Sequence, residues 1–146
     1  TCGRALADLA PDHAWIKLPI TRAGVDAARG LLADGLPVTF TACYEPAQVL
    51  LAVALGVDYI APYLGRISDQ GRDGHAELIR MQRCVQALGS PLRLLVASLR
   101  QPDDLARLAA EGLNTFTISP PIAEALFSCG ATQAAAAQFE RDASAL

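Results

Sequence analysis

Lys17 is the only lysine in the sequence, and every other formal cation is an arginine. It stands in the run Ala14-Trp15-Ile16-Lys17-Leu18-Pro19-Ile20-Thr21. An ammonium group is costly to remove from water unless it is paired, so lysine is ordinarily a surface residue. The apolar neighbours Trp15, Ile16, Leu18 and Ile20 predict a buried strand instead. Desolvation favours the neutral amine, and a neutral amine attacks carbonyl carbons and forms a Schiff base. The competing reading is a strand-edge lysine whose head reaches water along an apolar stem.

Further candidates stand at or just past the ends of predicted strands: Thr41, Tyr63 with Arg66, Ser98 with Arg100, and Ser119. Taken singly, each has a bland reading. Thr41 suits a strand end, Ser98 suits a helix cap, and Arg66 and Arg100 suit solvated loops. Their common position gives them weight. In a parallel barrel the C-terminal strand ends converge on one mouth, where the active site sits. Guanidinium forks there suit phosphate oxygens.

The elements that would place these residues alternate. A first helix ends near Ala10, with Leu6 and Leu9 on one side, and Pro11 and Asp12 break it. The Lys17 strand follows, and Thr21 is placed to N-cap a helix that stops at Gly35. Val25, Ala28, Leu31 and Leu32 keep the helical period in that segment. The next strand covers about Pro37 to Thr41. Pro46 suits a helix start and Gly56 its end. A strand over about Asp58 to Pro62 leads into a polar loop from Gly65 to Gly74. A helix then runs from about His75 to Leu88, a strand from Leu92 to Ala97, and a helix from Pro102 to Gly112. The last strand is about Asn114 to Ile118, followed by a short helix after Pro120 and a final helix over Thr132 to Asp142.

Strand and helix alternate five times. The strands are short apolar runs, which predicts cover on both faces and parallel βα units. A (β/α) barrel and a doubly wound sheet both fit this order. No glycine-rich phosphate loop follows a strand, which counts against a dinucleotide or P-loop fold. The clustering of polar residues at strand ends favours the barrel.

The 146 residues, 52% apolar, suffice for one domain with one core. No apolar run approaches the ~18 residues of a membrane span. The net charge of −3, with scattered arginines, offers no basic face for nucleic acid. The four cysteines, Cys2, Cys43, Cys84 and Cys129, form no CxxC pair. Buried free thiols in a reducing cytoplasm are expected. His13 and His75 have no carboxylate or thiol at metal-ligand spacing and are assigned no chemistry.

Four segments resemble the transaldolase family, and most of all its short members, the fructose-6-phosphate aldolases. They are Ile16-Lys17-Leu18-Pro19 with Thr21, Gly35-Leu36-Pro37-Val38 through Thr41-Ala42, Ala61-Pro62-Tyr63-Leu64-Gly65-Arg66-Ile67, and Ala97-Ser98-Leu99-Arg100. The resemblance covers nearly the whole chain. It implies an α/β fold built from parallel (β/α) units of a TIM barrel, the C-terminal five of eight, in a single partial-barrel domain. It implies class I aldolase or transaldolase chemistry on sugar phosphates such as fructose 6-phosphate, with no cofactor or metal. Lys17 would be the Schiff-base nucleophile, Thr41 and Tyr63 would hold a catalytic water, and Arg66, Ser98 and Arg100 would bind phosphate. Tyr63, where transaldolases usually carry Phe, leans towards aldolase. The chain would begin near the family's fourth strand, so the family's catalytic Asp on the first strand would lie outside these five units. Homo-oligomeric rings are implied, with the C-terminal helix and Phe139 packed on a neighbour; packing of that helix on its own barrel is the alternative. The alternative function is a non-catalytic module that binds sugar phosphate or assembles with another chain.

Overall fold

The computed structural model describes residues 2–10 and 13–145. The elements run α1 (Cys2–Leu9), β1 (Ile16–Pro19), α2 (Arg22–Ala33), β2 (Val38–Cys43), α3 (Gln48–Leu55), β3 (Tyr59–Pro62), α4 (Leu64–Asp69), α5 (Gly74–Ala87), β4 (Arg93–Val96), α6 (Pro102–Ala110), β5 (Thr115–Phe116), α7 (Pro120–Ala125) and α8 (Gly130–Ser144). The five strands are parallel and lie in the order β1-β2-β3-β4-β5. A doubly wound sheet reverses its strand order partway. Here each strand simply adds beside the one before it, as in a barrel, and among the described residues the sheet does not close.

Register explains how one face is buried. Phe40 pairs with Ile60 and Ile60 with Leu94. All three are buried and belong to the core cluster with Ala28, Val49 and Met81 of α2, α3 and α5. Side chains alternate along a strand, so the adjacent row, Lys17 beside Thr39, Thr39 beside Tyr59 and Tyr59 beside Arg93, points to the other face. At its two ends, Lys17 and Arg93, that face is open to solvent. Cover on both faces was the expectation from the apolar runs; the structure corrects it.

Local signals account for most boundaries. The Thr21 hydroxyl accepts the Gly24 N–H at 3.1 Å and caps α2, as expected. Gly56 ends α3 in a left-handed conformation, φ +69°. The polar stretch after β3, expected to be a loop, instead begins with α4. Leu64 and Ile67 are buried on one side of it, and the Leu64 and Gly65 N–H groups donate to Ala97 and Ser98 carbonyls at 3.0 and 2.9 Å. Those bonds satisfy helix-start donors that would otherwise need water. The helix α1 turns Ala7 inward and leaves Leu6 and Leu9 exposed. The break at Pro11 and Asp12, and the start of that helix at Thr1, lie outside the described residues. The helix α8 buries no side chain, so the packing of this helix on its own barrel is not found.

The cysteines also divide. All are free, but only Cys43 is buried; Cys84 is half-buried, and Cys2 and Cys129 are exposed. Burial pushes the Cys43 thiol up to about 12, which keeps it protonated and inert at neutral pH. At the start of α8, hydrogen bonding with the Thr132 side chain, then with the Thr132 and Ala131 backbone, holds the Cys129 thiol below its usual value. Brief iodoacetamide treatment at neutral pH is expected to alkylate Cys129 roughly a hundredfold or more faster than Cys43, as read by peptide mass spectrometry. Equal labelling would contradict the burial of Cys43.

Candidate active site

The candidate site lies along the C-terminal ends of β2, β3 and β4, with Lys17 on the adjoining strand. Lys17 faces the same side of the sheet as its register partner Thr39. Two residues further along β2, Thr41 pairs with Pro19. The register then shifts between Phe40 and Cys43, where Ala42 takes φ +53°. At the end of β4, Ser98 takes φ +62°. These are the positive-φ non-glycine residues among the described ones, and left-handed backbone costs roughly 1–2 kcal/mol per residue. Both stand at one rim. Strain of this kind gathers where the surrounding structure over-determines a site.

At that rim, Thr41 Oγ1 and the Tyr63 hydroxyl are hydrogen-bonded at 2.7 Å. The Tyr44 ring meets the Tyr63 ring edge-on, centroids 5.7 Å apart, and the Arg66 guanidinium lies over the Tyr63 face at 4.7 Å. The phenol is therefore held from three directions. Each of Thr41→Val and Tyr63→Phe is expected to cost about 1 kcal/mol in urea unfolding, with the double variant costing less than the sum. Strict additivity would mean that the 2.7 Å bond contributes nothing.

The backbone bonds from Leu64 and Gly65 to Ala97 and Ser98 bring the Arg66 segment against the Arg100 segment. A Cβ on Gly65 would collide with Arg100 Nε and lie 2.5 Å from the Ser98 carbonyl oxygen. The Arg100 guanidinium donates to Asp69 Oδ2 at 2.5 Å, with both side chains more than half exposed. Such an exposed pair is worth only about 0–1 kcal/mol, so a dianion could displace the carboxylate at little cost. Ser98 itself is half-buried and Arg66 and Arg100 are exposed. Ser119 is exposed at the start of α7 and makes no side-chain cap bond.

The expected burial of Lys17 is not found: its side chain is exposed. Among the described residues β1 pairs only with β2, so it forms an edge of the sheet with no strand on its other side. The aliphatic neighbours that suggested burial point elsewhere. Ile16 and Ile20 face the helices and are buried, while Trp15 packs on Tyr59 at 5.0 Å and stays 46% exposed. Alternation along β1 separates the lysine from Ile16, Leu18 and Ile20, and Trp15, on the lysine's own face, leaves it uncovered.

Sequence reasoning missed Tyr44, Gly65 and Asp69. Asp69 could have been suspected from its place beyond Arg66, but its partner is Arg100, thirty-one residues away. Tyr44 is tied down by Arg72, which donates to the Tyr44 carbonyl at 3.1 Å and forks onto Glu45 at 2.6 and 3.2 Å. Among the described residues no group of three or more His, Cys, Asp or Glu side chains could hold a metal ion, and no helix is long and apolar enough to cross a membrane.

The family described as Transaldolase/Fructose-6-phosphate aldolase matches residues 1–146. A probable transaldolase of Caulobacter sp. (strain K31) is 35% identical over 141 residues, covering 96% of this chain and 64% of the relative. A probable transaldolase of Phenylobacterium zucineum (strain HLK1) is 33% identical over 140 residues, again 96% and 64%. A probable fructose-6-phosphate aldolase of Streptococcus pneumoniae (strain ATCC 700669 / Spain 23F-1) is 31% identical over 133 residues, 91% of this chain and 60% of its own. The chain thus spans less than two thirds of the length of these relatives. Among solved structures, a double mutant of flavocytochrome b2 with pyruvate bound superposes with a TM-score of 0.53 at 18% identity, over 64% of this chain and 25% of that one; the likeness is one of fold.

Proposed function

The chain belongs to the transaldolase/fructose-6-phosphate aldolase family, and from that premise we propose that the protein acts as a class I aldolase or transaldolase on sugar phosphates such as fructose 6-phosphate. The observation that carries this reading is the hydrogen bond between Thr41, on the strand beside the only lysine, and Tyr63 at the end of β3, with the Arg66 and Arg100 segments bonded together at the same rim.

In this reading the Lys17 amine adds to the ketone carbon, and loss of water gives an iminium. The iminium draws in the electron pair of the C3–C4 bond as the C4 hydroxyl loses its proton, so an aldehyde phosphate leaves and an enamine remains. The iminium is itself the electron sink, and the steps use no metal ion or other cofactor. The enamine then takes a proton and is hydrolysed to dihydroxyacetone, or attacks a second aldehyde. The Thr41 and Tyr63 hydroxyls hold the water that carries these protons, and the phenol favours the protonation branch, which is aldolase. Arg66, Ser98 and Arg100 hold the phosphate, with Asp69 yielding Arg100 to it. Binding energy gained at the phosphate, remote from the breaking bond, serves to orient the ketone.

Borohydride reduction in the presence of dihydroxyacetone tests this. The expected result is one stable adduct at Lys17, and recovery of unmodified Lys17 from folded protein would sink it. A second reading is favoured by the exposure of Lys17: a module that binds sugar phosphate at Arg66, Ser98 and Arg100 and lends its open edge to another chain, without catalysis. The same experiment separates the two.

Homo-oligomerisation through α8 belongs to the proposal. Phe139 is 70% exposed there, and a neighbouring copy would cover it. So does a cytoplasmic location, which the exposed free thiols Cys2 and Cys129 suit.

A further inference from the structure

Asp104, on the first turn of α6, is 3% exposed. A buried carboxylate is costly unless its oxygens are paired. One of them is: Oδ2 accepts the backbone N–H groups of Arg100 at 2.9 Å and Gln101 at 3.1 Å. Two consecutive donors on one oxygen fix the turn that leads out of β4, the turn bearing Ser98 and Arg100. The other oxygen, Oδ1, takes no part in this cap. It faces Nε2 of His75, 3.1 Å away on the first turn of α5.

That nitrogen is shut off from solvent and has no aligned hydrogen-bond partner among the described residues. The distance is that of a hydrogen bond but the direction is poor. Helix capping explains Asp104 and leaves His75 unexplained. An apolar side chain at position 75 would fill the same space but leave Oδ1 facing carbon. The contact ties the start of α5 to the start of α6.

We propose that His75 and Asp104 are positioning residues for phosphate binding: the buried pair sets the angle of the Ser98–Gln101 turn and with it the aim of the Arg100 guanidinium. This rests on the reading of Arg100 as a phosphate ligand, not on Schiff-base chemistry at Lys17. His75→Leu keeps the volume and removes the polar atom. His75→Gln can place an amide nitrogen near the position of Nε2.

Titration calorimetry with inorganic phosphate, on the protein and both variants, reads the effect. His75→Leu is expected to bind phosphate about tenfold or more weakly, since small misplacements of a binding group carry such penalties, while His75→Gln stays within about threefold of the parent. Borohydride trapping at Lys17 with dihydroxyacetone, which has no phosphate, is expected to be equal in all three proteins. If His75→Leu does not fold, His75→Asn, whose amide is too short to reach Asp104, takes its place. Unchanged phosphate affinity in the leucine or asparagine variant, equal losses in Leu and Gln, or no phosphate binding by the parent would each overturn the proposal. Absence of the Lys17 adduct in the parent would overturn the Schiff-base reading and leave the phosphate comparison standing.

Discussion

Lys17→Met is expected to abolish the borohydride adduct and to lower the rate of fructose 6-phosphate cleavage by about three orders of magnitude or more relative to the parent. Methionine has a similar length and no nucleophile. Its effect on stability should fall within about 0.5 kcal/mol, because the side chain is exposed. The strand itself is held by its backbone, with Ile16 N–H on the Pro37 carbonyl and Ile20 N–H on the Thr41 carbonyl, both at 2.9 Å. Lys17→Arg is expected to be equally inactive, since a guanidinium does not give up its proton. The sequence makes the readout clean. With one lysine in the chain, a trapped adduct on a side-chain amine has a single address. Full cleavage activity in the methionine variant would remove the Schiff base from consideration.

Gly65→Ala is expected to give the largest loss of stability at the rim, about 1–3 kcal/mol or more, read as a lowered urea midpoint. Of the two groups its Cβ would meet, one is a flexible side chain, Arg100 at Nε and Cζ, which can swing aside. The other, the Ser98 carbonyl oxygen at 2.5 Å, is backbone and cannot. That oxygen also accepts the Gly65 N–H at 2.9 Å, so relieving the clash stretches the bond that joins α4 to β4. Ser98 is already at φ +62° and has little room to adjust. Phosphate affinity should fall along with stability, because the same atoms set the approach of Arg100. An alanine variant with the parent's midpoint would mean that the two segments are not packed as described.

How far the sequence reveals this molecule depends on how local each determinant is. Thr21 and Gly56 act on their own helix ends, so their caps are legible. Five apolar runs separated by helical periods reveal the parallel strands, and their polar ends point to a common rim. The burial of Lys17 is misjudged because the density of apolar residues in a run says nothing about which face each one takes. Ile16 and Ile20 are buried, and the lysine between them is not. The helix α4 is missed because arginine, serine and aspartate around Leu64 and Ile67 read as loop; its start is stabilised by the Ala97 and Ser98 carbonyls just past β4, more than thirty residues away in sequence. The contact of His75 with Asp104 is invisible for the same reason. No motif links a residue at the start of one helix to a carboxylate at the start of the next.

The uninterrupted strand order bears on how the protein is made. Every ladder among the described strands joins strands that follow one another in the chain, so each of β2 to β5 leaving the ribosome meets a partner already made, across a closure of one helix, or of two between β3 and β4. Pairing between consecutive strands favours growth of the sheet in chain order. The two-residue strand β5 is the lightest rung among the described strands, and the first whose amide protons should be lost to heavy water.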